Sequence, residues 1–183
     1  QVSIDFSCQD KTPELCFEAR NIIASAKVVI VGVGALGTTA AMVLLRSGAT
    51  HLVLVDDDVV AADNLPRQTL FDEADVGKKK VLVAREKLLA VNGKARIEAV
   101  DVRLDEDSEL LDGADLVLDC TDNIPSRLVI DEACQNVPWV HAAAVGKVGE
   151  VMAVLPKGRR YADIVKGKKS DDDCSSAGIM TIA

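Results

Sequence analysis

The sequence predicts an α/β fold of the doubly wound, Rossmann-like kind, with a mainly parallel sheet and an antiparallel hairpin at one edge. Three observations carry this prediction. Aliphatic runs recur along the 183 residues at "KVVIVGVG" (27–34), "HLVLVDDD" (51–58), "RIEAVDVRL" (96–104), "ADLVLDCTD" (114–122) and "WVHAAAVGKVGEVMAVL" (139–155). The first, second and fourth are continuous rather than alternating, which marks strands buried on both faces. Helically spaced stretches separate them, so strand and helix alternate as right-handed crossovers require.

Residues 1–26 read as an N-terminal segment ahead of the first strand. Between the first two strands, Leu36, Ala40, Val43 and Leu44 follow helical spacing, and Ser47-Gly48 closes the segment. Val81, Ala84, Leu88 and Val91 do the same before Asn92-Gly93. After the fourth strand, Asp122 or Asn123 can cap a helix that holds Pro125 in its first turn. No helical pattern follows Val145, and Gly146 and Gly149 interrupt the last run, so a hairpin is expected there as the antiparallel edge. Residues 157–173, "KGRRYADIVKGKKSDDD", are dense in charge and poor in core residues, and are expected as an exposed, mobile crossover loop. The length suits one domain over 1–183.

Aromatic residues are only 3% of the chain, so Val, Leu, Ile and Ala must pack the core. A formal net charge of -8 opposes binding to nucleic acid or anionic lipid. Neither is expected as a partner, and any anionic ligand needs a local basic pocket. The five cysteines, Cys8, Cys16, Cys120, Cys134 and Cys174, form no CxxC pair, which points away from a disulfide framework or a zinc site. A reducing, cytoplasmic setting is expected. No apolar run approaches the roughly 20 residues needed to span a bilayer, and residues 1–26 lack a basic start followed by an apolar stretch.

In "VVIVGVGALG" the glycines follow a predicted strand and open a predicted helix, the context that a GxGxxG nucleotide loop needs. Gly32 permits the tight turn, Gly34 lets a phosphate approach the backbone, and Gly37 lets helix and strand pack closely. Ala35 and Leu36 share that loop, at the helix N-terminus whose N–H groups attract anions. The motif alone serves NAD or ATP equally. Asp56, 24 residues after Gly32 at the end of the second strand, is placed to accept hydrogen bonds from ribose hydroxyls. Asp57 and Asp58 read equally as ligand contacts or as a polar loop. Arg67 and Lys80 lie in or just after the second crossover loop, near the carboxyl edge of the sheet, and read as phosphate ligands; Lys78 and Lys79 read as solvated. "DCTDNIPSR" ends the fourth strand at the same edge. Asp122 there would face phosphates, and a carboxylate among phosphates calls for a cation between them, Mg2+ being the natural one.

Taken in order, GVGALG, Asp56, "NLPRQTL", Lys80 of "VGKKKV" and "DCTDNIPSR" resemble the ThiF/MoeB/HesA family, relatives of the ubiquitin-activating enzymes, over about Lys27 to Ala183. The resemblance implies a fold that uses Mg-ATP to adenylate a carboxylate, commonly the C-terminal glycine of a ubiquitin-like sulfur carrier protein. It implies that Asp56 holds the ribose, that Asn64, Arg67, Gln68 and Lys80 surround the phosphates, and that Asp122 holds the metal with Asn123 and Arg127 supporting its loop. "DDDCSSAGIM" resembles the family's crossover segment and puts Cys174 at the cysteine that links covalently to the carrier in some members. A homodimer is implied too. Residues 157–173 contain no cysteine, so the paired CxxC zinc motifs of many members have no counterpart there, and Arg20 is the only arginine in the N-terminal stretch where many members supply one across a dimer.

Three other readings stand beside the sulfur-carrier one. A short, zinc-free member can adenylate a small-molecule carboxylate, as in building the guanylylpyridinol iron cofactor of a hydrogenase. An NAD-dependent oxidoreductase explains the glycine loop and Asp56 but leaves Arg67, Lys80 and Asp122 idle. A catalytically silent ATP-binding subunit would require loss of those phosphate-site residues, and they are present.

Overall fold

The computed structural model describes residues 4–7, 11, 17–104 and 109–165. Five strands lie parallel and a sixth antiparallel. In chain order the elements are α1 (Phe17–Ser25), β1 (Lys27–Val31), α2 (Ala35–Arg46), β2 (His51–Val55), α3 (Lys80–Val91), β3 (Arg96–Val100), β4 (Leu116–Asp119), α4 (Ile124–Ala133), β5 (Trp139–Val145), β6 (Val148–Val154) and α5 (Tyr161–Val165). The sheet order is β3-β2-β1-β4-β5-β6. The chain therefore runs outward from β1 in one direction, returns, and runs outward from β4 in the other. That reversal opens a crevice at the carboxyl ends of β1 and β4, where ligands of such sheets bind.

Each central strand buries alternate residues into two different cores. Val28, Ile30, Leu52 and Leu54 pack with Ala41 and Leu45 of α2 and with Val81, Ala84 and Leu88 of α3. Val29, Val31, Val53, Val55 and Val117 face the opposite way, onto Ile130 of α4, Trp139 and Tyr161. Covered on both faces, these strands must be continuously apolar, which is why the alternation expected of a half-exposed strand is missing.

The crossover helices show one correction. The predicted stripe of α2 is out of phase: Val43 is exposed, while Gly37, Thr38, Ala41 and Leu45 are the buried positions. With almost every residue of "ALGTTAAMVLL" small or apolar, periodicity left the phase open and contact with the sheet chose it. In α3, Val81, Ala84 and Leu88 are buried as expected. The hairpin is also as expected, β5 and β6 pairing from Trp139↔Val154 to Val145↔Val148 around Gly146, whose φ is +57°.

Within 157–173 the described part departs from a loop. Tyr161–Val165 form α5, and Tyr161 is buried against Trp139. The cause is Asp131 of α4, itself buried, whose carboxylate accepts from the Tyr161 and Ala162 amides and from Arg160 Nε, all at 3.1 Å. A buried carboxylate ringed by donors holds a charged segment in place that composition reads as solvated. In the N-terminal segment, α1 was not anticipated; Arg20 lies over the Phe6 and Phe17 rings. No described helix is long and apolar enough to cross a membrane.

Two glycines set the approach of β1, α2 and β4. Gly32 has φ +90°, and a Cβ there would stand 2.6 Å from the Cys120 carbonyl oxygen that follows β4. A Cβ on Gly37 would stand 1.9 Å from the Gly32 carbonyl oxygen. Backbone cannot move aside as a side chain can. Gly37→Ala is therefore expected to lose roughly 3 kcal/mol or more of stability, read as a fall in the urea midpoint; an unchanged midpoint would show that α2 is not pinned by this contact.

Candidate active site

The crevice at the carboxyl ends of β1, β2 and β4 is a cleft of about 500 Å³, a size that small-molecule sites commonly have. Its floor is the glycine loop. Gly34 is the N-cap of α2 and supplies no side-chain capping bond. A Cβ there would meet only Gln68 Nε2, at 3.6 Å. The first and third glycines are thus required by the chain's own packing, whereas the second leaves room in front of the first helical N–H groups, where an anion is favoured. Gly32, Gly34, Ala35 and Leu36 line the cleft and Gly37 does not; Gly37 acts beneath it, as packing.

Asp56, at the end of β2, reaches across to this loop. Its Oδ2 accepts from the Val33 amide at 2.6 Å and its Oδ1 from the Asp58 amide at 2.8 Å. Burial pushes its carboxyl above the usual aspartate value, the amide bonds from Val33 and Asp58 and the charge of Lys80 only partly offsetting this. Oriented by two backbone donors, the carboxylate keeps further lone pairs for a ligand.

The segment between β2 and α3 folds back on itself and carries the next four residues to the cleft. The Val60 amide donates to the Lys78 carbonyl, Gly77 to Val60, and Lys80 to Asp58. Asn64 and Gln68 are buried, and Asn64 Oδ1 accepts from the Ala61 amide at 3.3 Å. Gln68 Oε1 is buried with no partner among the described residues, so one polar atom of the cleft wall awaits a donor. Arg67 Nη1 rests on the Asp63 carbonyl at 2.6 Å. Lys80 is buried, and its Nζ meets Asp58 Oδ2 at 2.7 Å. The aliphatic stem fits the first turn of α3 while the ammonium tip turns to the cleft. Lys79 is not merely solvated either, since it pairs with Asp101 at 2.9 Å; Lys78 is exposed and 3.8 Å from Asp75.

The turn after β4 resolves which residue caps α4. Asn123 Oδ1 accepts from the Ser126 amide at 2.9 Å, with Pro125 in the first turn. Asn123 is the cap, and the exposed Asp122 carboxylate is left free for the cleft it lines, meeting Asn123 Nδ2 at 3.3 Å. An oxygen donor so placed suits a hard cation such as Mg2+. Buried Arg127 donates through Nη2 to the Thr121 carbonyl at 3.0 Å and so braces the turn from below. All the site residues expected from sequence therefore meet at one cleft, apart from Gly37 beneath it and Cys174, which lies outside the described residues.

Sequence reasoning missed Asp119 and His141. Asp119 is fully buried and accepts from His141 Nδ1 at 2.6 Å, while His141 Nε2 stands 3.1 Å from Glu150. The signal was present, an aspartate ending an apolar strand and a histidine inside another, but only sheet register puts the two side by side. Among the described residues, Cys120 is the cysteine that lines the cleft. Burial and the neighbouring Asp119 charge push its thiol up to about 12, so it is no nucleophile at neutral pH.

The fold and cleft define a doubly wound α/β domain with a glycine-loop crevice at its topological switch point. The chain belongs to the ThiF family, whose model matches residues 8–183. It is 40% identical over 139 residues to a molybdopterin-synthase adenylyltransferase of Salmonella typhimurium, covering 74% of this chain and 56% of that protein. It is 33% identical over 182 residues to the sulfur carrier protein ThiS adenylyltransferase of Escherichia coli, covering 96% and 72%. The fold is shared with E. coli MccB solved with ATP, at a TM-score of 0.74 and 24% identity over 87% of this chain and 53% of that one. The chain thus spans a little over half to about three-quarters of the length of these relatives.

The raised carboxyl of Asp56 gives a pH prediction. Only the ionised form can accept from two hydroxyls at once, so affinity for a ligand that offers a ribose to this carboxylate should fall as pH drops through a value above the ordinary aspartate range. Asp56→Asn should weaken binding at neutral pH and flatten that acid limb. Calorimetric titration of Mg-ATP from neutral pH downward checks this; an acid limb that persists in Asp56→Asn would assign it to another group.

Proposed function

We propose that the protein is an ATP-dependent adenylyltransferase that activates a carboxylate, the C-terminal glycine of a ubiquitin-like sulfur carrier protein being the substrate that fits best. The observation that carries this reading is the convergence of Arg67, Lys80, Gln68 and Asp122 on the one cleft that also holds the glycine loop and Asp56. The names of the curated relatives support it, and lend nothing to the NAD-dependent reading, which leaves Arg67, Lys80 and Asp122 without a task.

In this reading Asp56 takes the ribose and the Gly34–Leu36 backbone takes a phosphate. Arg67, Lys80, Asn64 and Gln68 surround the rest of the triphosphate. A carboxylate oxygen of the substrate attacks the α-phosphorus, the bond to the bridging oxygen breaks, and pyrophosphate leaves with the electron pair. No general base is needed, because the attacking carboxylate is already ionised. The work left to the protein is to neutralise charge and hold the groups in line. Asp122 would hold Mg2+, which when bound screens the phosphate charge, and Asn123 and Arg127 keep Asp122's turn in place. Cys174 takes no part in this step, because a thiol has no role in the attack of a carboxylate on phosphorus. The protein is read as cytoplasmic, without nucleic-acid or membrane partners and without a zinc site.

Because charge shifts toward the leaving pyrophosphate, these residues should serve the transition state more than ground-state binding. Arg67→Ala, Lys80→Met and Asp122→Ala should each slow ATP–pyrophosphate exchange by on the order of a hundredfold, the scale for removing one preorganised electrostatic group. Lys80→Met keeps the buried stem while removing the charge. Asp122→Ala should also blunt the response to Mg2+, and the other two should not. Three folded variants that exchange pyrophosphate at the parent rate with the acyl substrate present would end this reading.

The working unit is a homodimer. Val148, Val151 and Leu155 of the hairpin are 73%, 76% and 62% exposed, an apolar surface that a second copy would cover. Sedimentation at roughly tens of micromolar, where stable interfaces persist, should give a dimer; a monomer alone would refute it.

A further inference from the structure

We propose that His141 is a positioning residue for the turn that carries Asp122: by occupying one oxygen of buried Asp119, it keeps Arg127 on the Thr121 carbonyl and so fixes where the Asp122 carboxylate stands. The role in catalysis rests on the adenylation reading above; the role in the turn does not.

Asp119 ends β4 with both oxygens in use. Its Oδ1 accepts from the Thr121 amide at 3.0 Å and from the Thr121 hydroxyl at 2.6 Å. Its Oδ2 accepts from His141 Nδ1 at 2.6 Å, the two residues being direct neighbours in the β4–β5 register. Thr121 is thus held at its amide by Asp119 and at its carbonyl by Arg127 Nη2, 3.0 Å away. Clamped at both ends, it presents the next residue, Asp122, to the cleft.

The competing arrangement is visible in the same contacts. Arg127 Nε is buried, has no hydrogen-bond partner among the described residues, and lies 3.9 Å from Asp119 Oδ2. An orphaned buried donor so near a carboxylate gains by closing on it. What weakens that pull is the His141 proton, which already satisfies part of the charge on that oxygen. Without it, Arg127 can pair with Asp119 and release the Thr121 carbonyl, and the turn loses one of its two clamps. Glu150, 3.1 Å from Nε2, and the Tyr161 ring, 5.2 Å from the imidazole, hold the ring plane from β6 and α5. The part of the ring that matters to the turn is therefore Nδ1 alone.

That distinction makes the test. The amide nitrogen of Asn can take the place of Nδ1, whereas that of Gln takes the place of Nε2, so His141→Asn keeps the donor to Asp119 and His141→Gln removes it. In His141→Gln the Thr121 amide should exchange with deuterium about tenfold faster, and the Mg2+ needed for half-maximal pyrophosphate exchange should rise about tenfold with KM for ATP within about twofold, the scale on which groups behind a metal ligand act. His141→Asn should stay near the parent in all three. Equal behaviour of the two variants, or unchanged Thr121 protection in His141→Gln, would overturn the proposal. Should His141→Gln fail to fold, the parent decides: the Nδ1 proton should appear as a downfield, slowly exchanging resonance, and its absence would also overturn the proposal. If the parent exchanges no pyrophosphate with any carboxylate, adenylation fails as a reading while the Thr121 measurement still decides the role of His141.

Discussion

The carbonyl oxygen of Gly32 lies where only a glycine at position 37 leaves room, and Gly32 in turn is crowded by the Cys120 carbonyl oxygen, 2.6 Å from where its Cβ would stand. The rest of the molecule is arranged around this contact. It draws the start of α2, the end of β1 and the end of β4 together at the point where the sheet reverses direction. The two backbone ends that line the cleft, one offering N–H groups and the other the Asp122 turn, are side by side because nothing larger than hydrogen separates them. A looser junction would still make a sheet, but the cleft would lose its floor.

Around that junction the protein handles charge by pre-pairing it. In a chain of net charge -8 the cleft cations are not bare: Lys80 meets Asp58 and Arg67 rests on the Asp63 carbonyl. An anionic ligand would exchange one set of acceptors for another, which limits the reorganisation needed on binding. Two buried carboxylates do comparable work deeper down. Asp119 organises the turn before α4, and Asp131 fastens the chain beyond β6. Each is surrounded by donors, so removing a donor would leave a buried charge underpaired, a larger loss than an exposed ion pair could cause.

Much of the fold was legible because its elements differ in composition. Continuous Val, Ile and Leu runs mark strands covered on both faces, and Gly146 with Gly149 marks the hairpin. The phase of α2 was not legible, since a helix of small residues has several possible buried faces. The helix at Tyr161–Val165 was hidden as well: five residues have no periodicity to read, and their anchor is an aspartate thirty residues upstream. In the site, the glycines, Asp56 and Asp122 could be read because each sits next to a strand end, and Arg67 and Lys80 because they lie in or just after the crossover loop that follows β2. Whether Asp122 or Asn123 caps the helix could not, because both residues can do it and only backbone direction decides.

The sequence by itself determined the alternation of strand and helix, the glycine loop and the set of polar residues at the carboxyl edge, because these follow from local periodicity and from the few residue types that tight turns and anions accept. Only the tertiary structure decided that Lys80 is buried against Asp58, that Asn123 rather than Asp122 caps α4, and that Asp119 meets His141. These are contacts between residues far apart in the chain or competing for one position, and their partners are selected by strand register and by the space left between packed layers, which no short stretch of sequence contains.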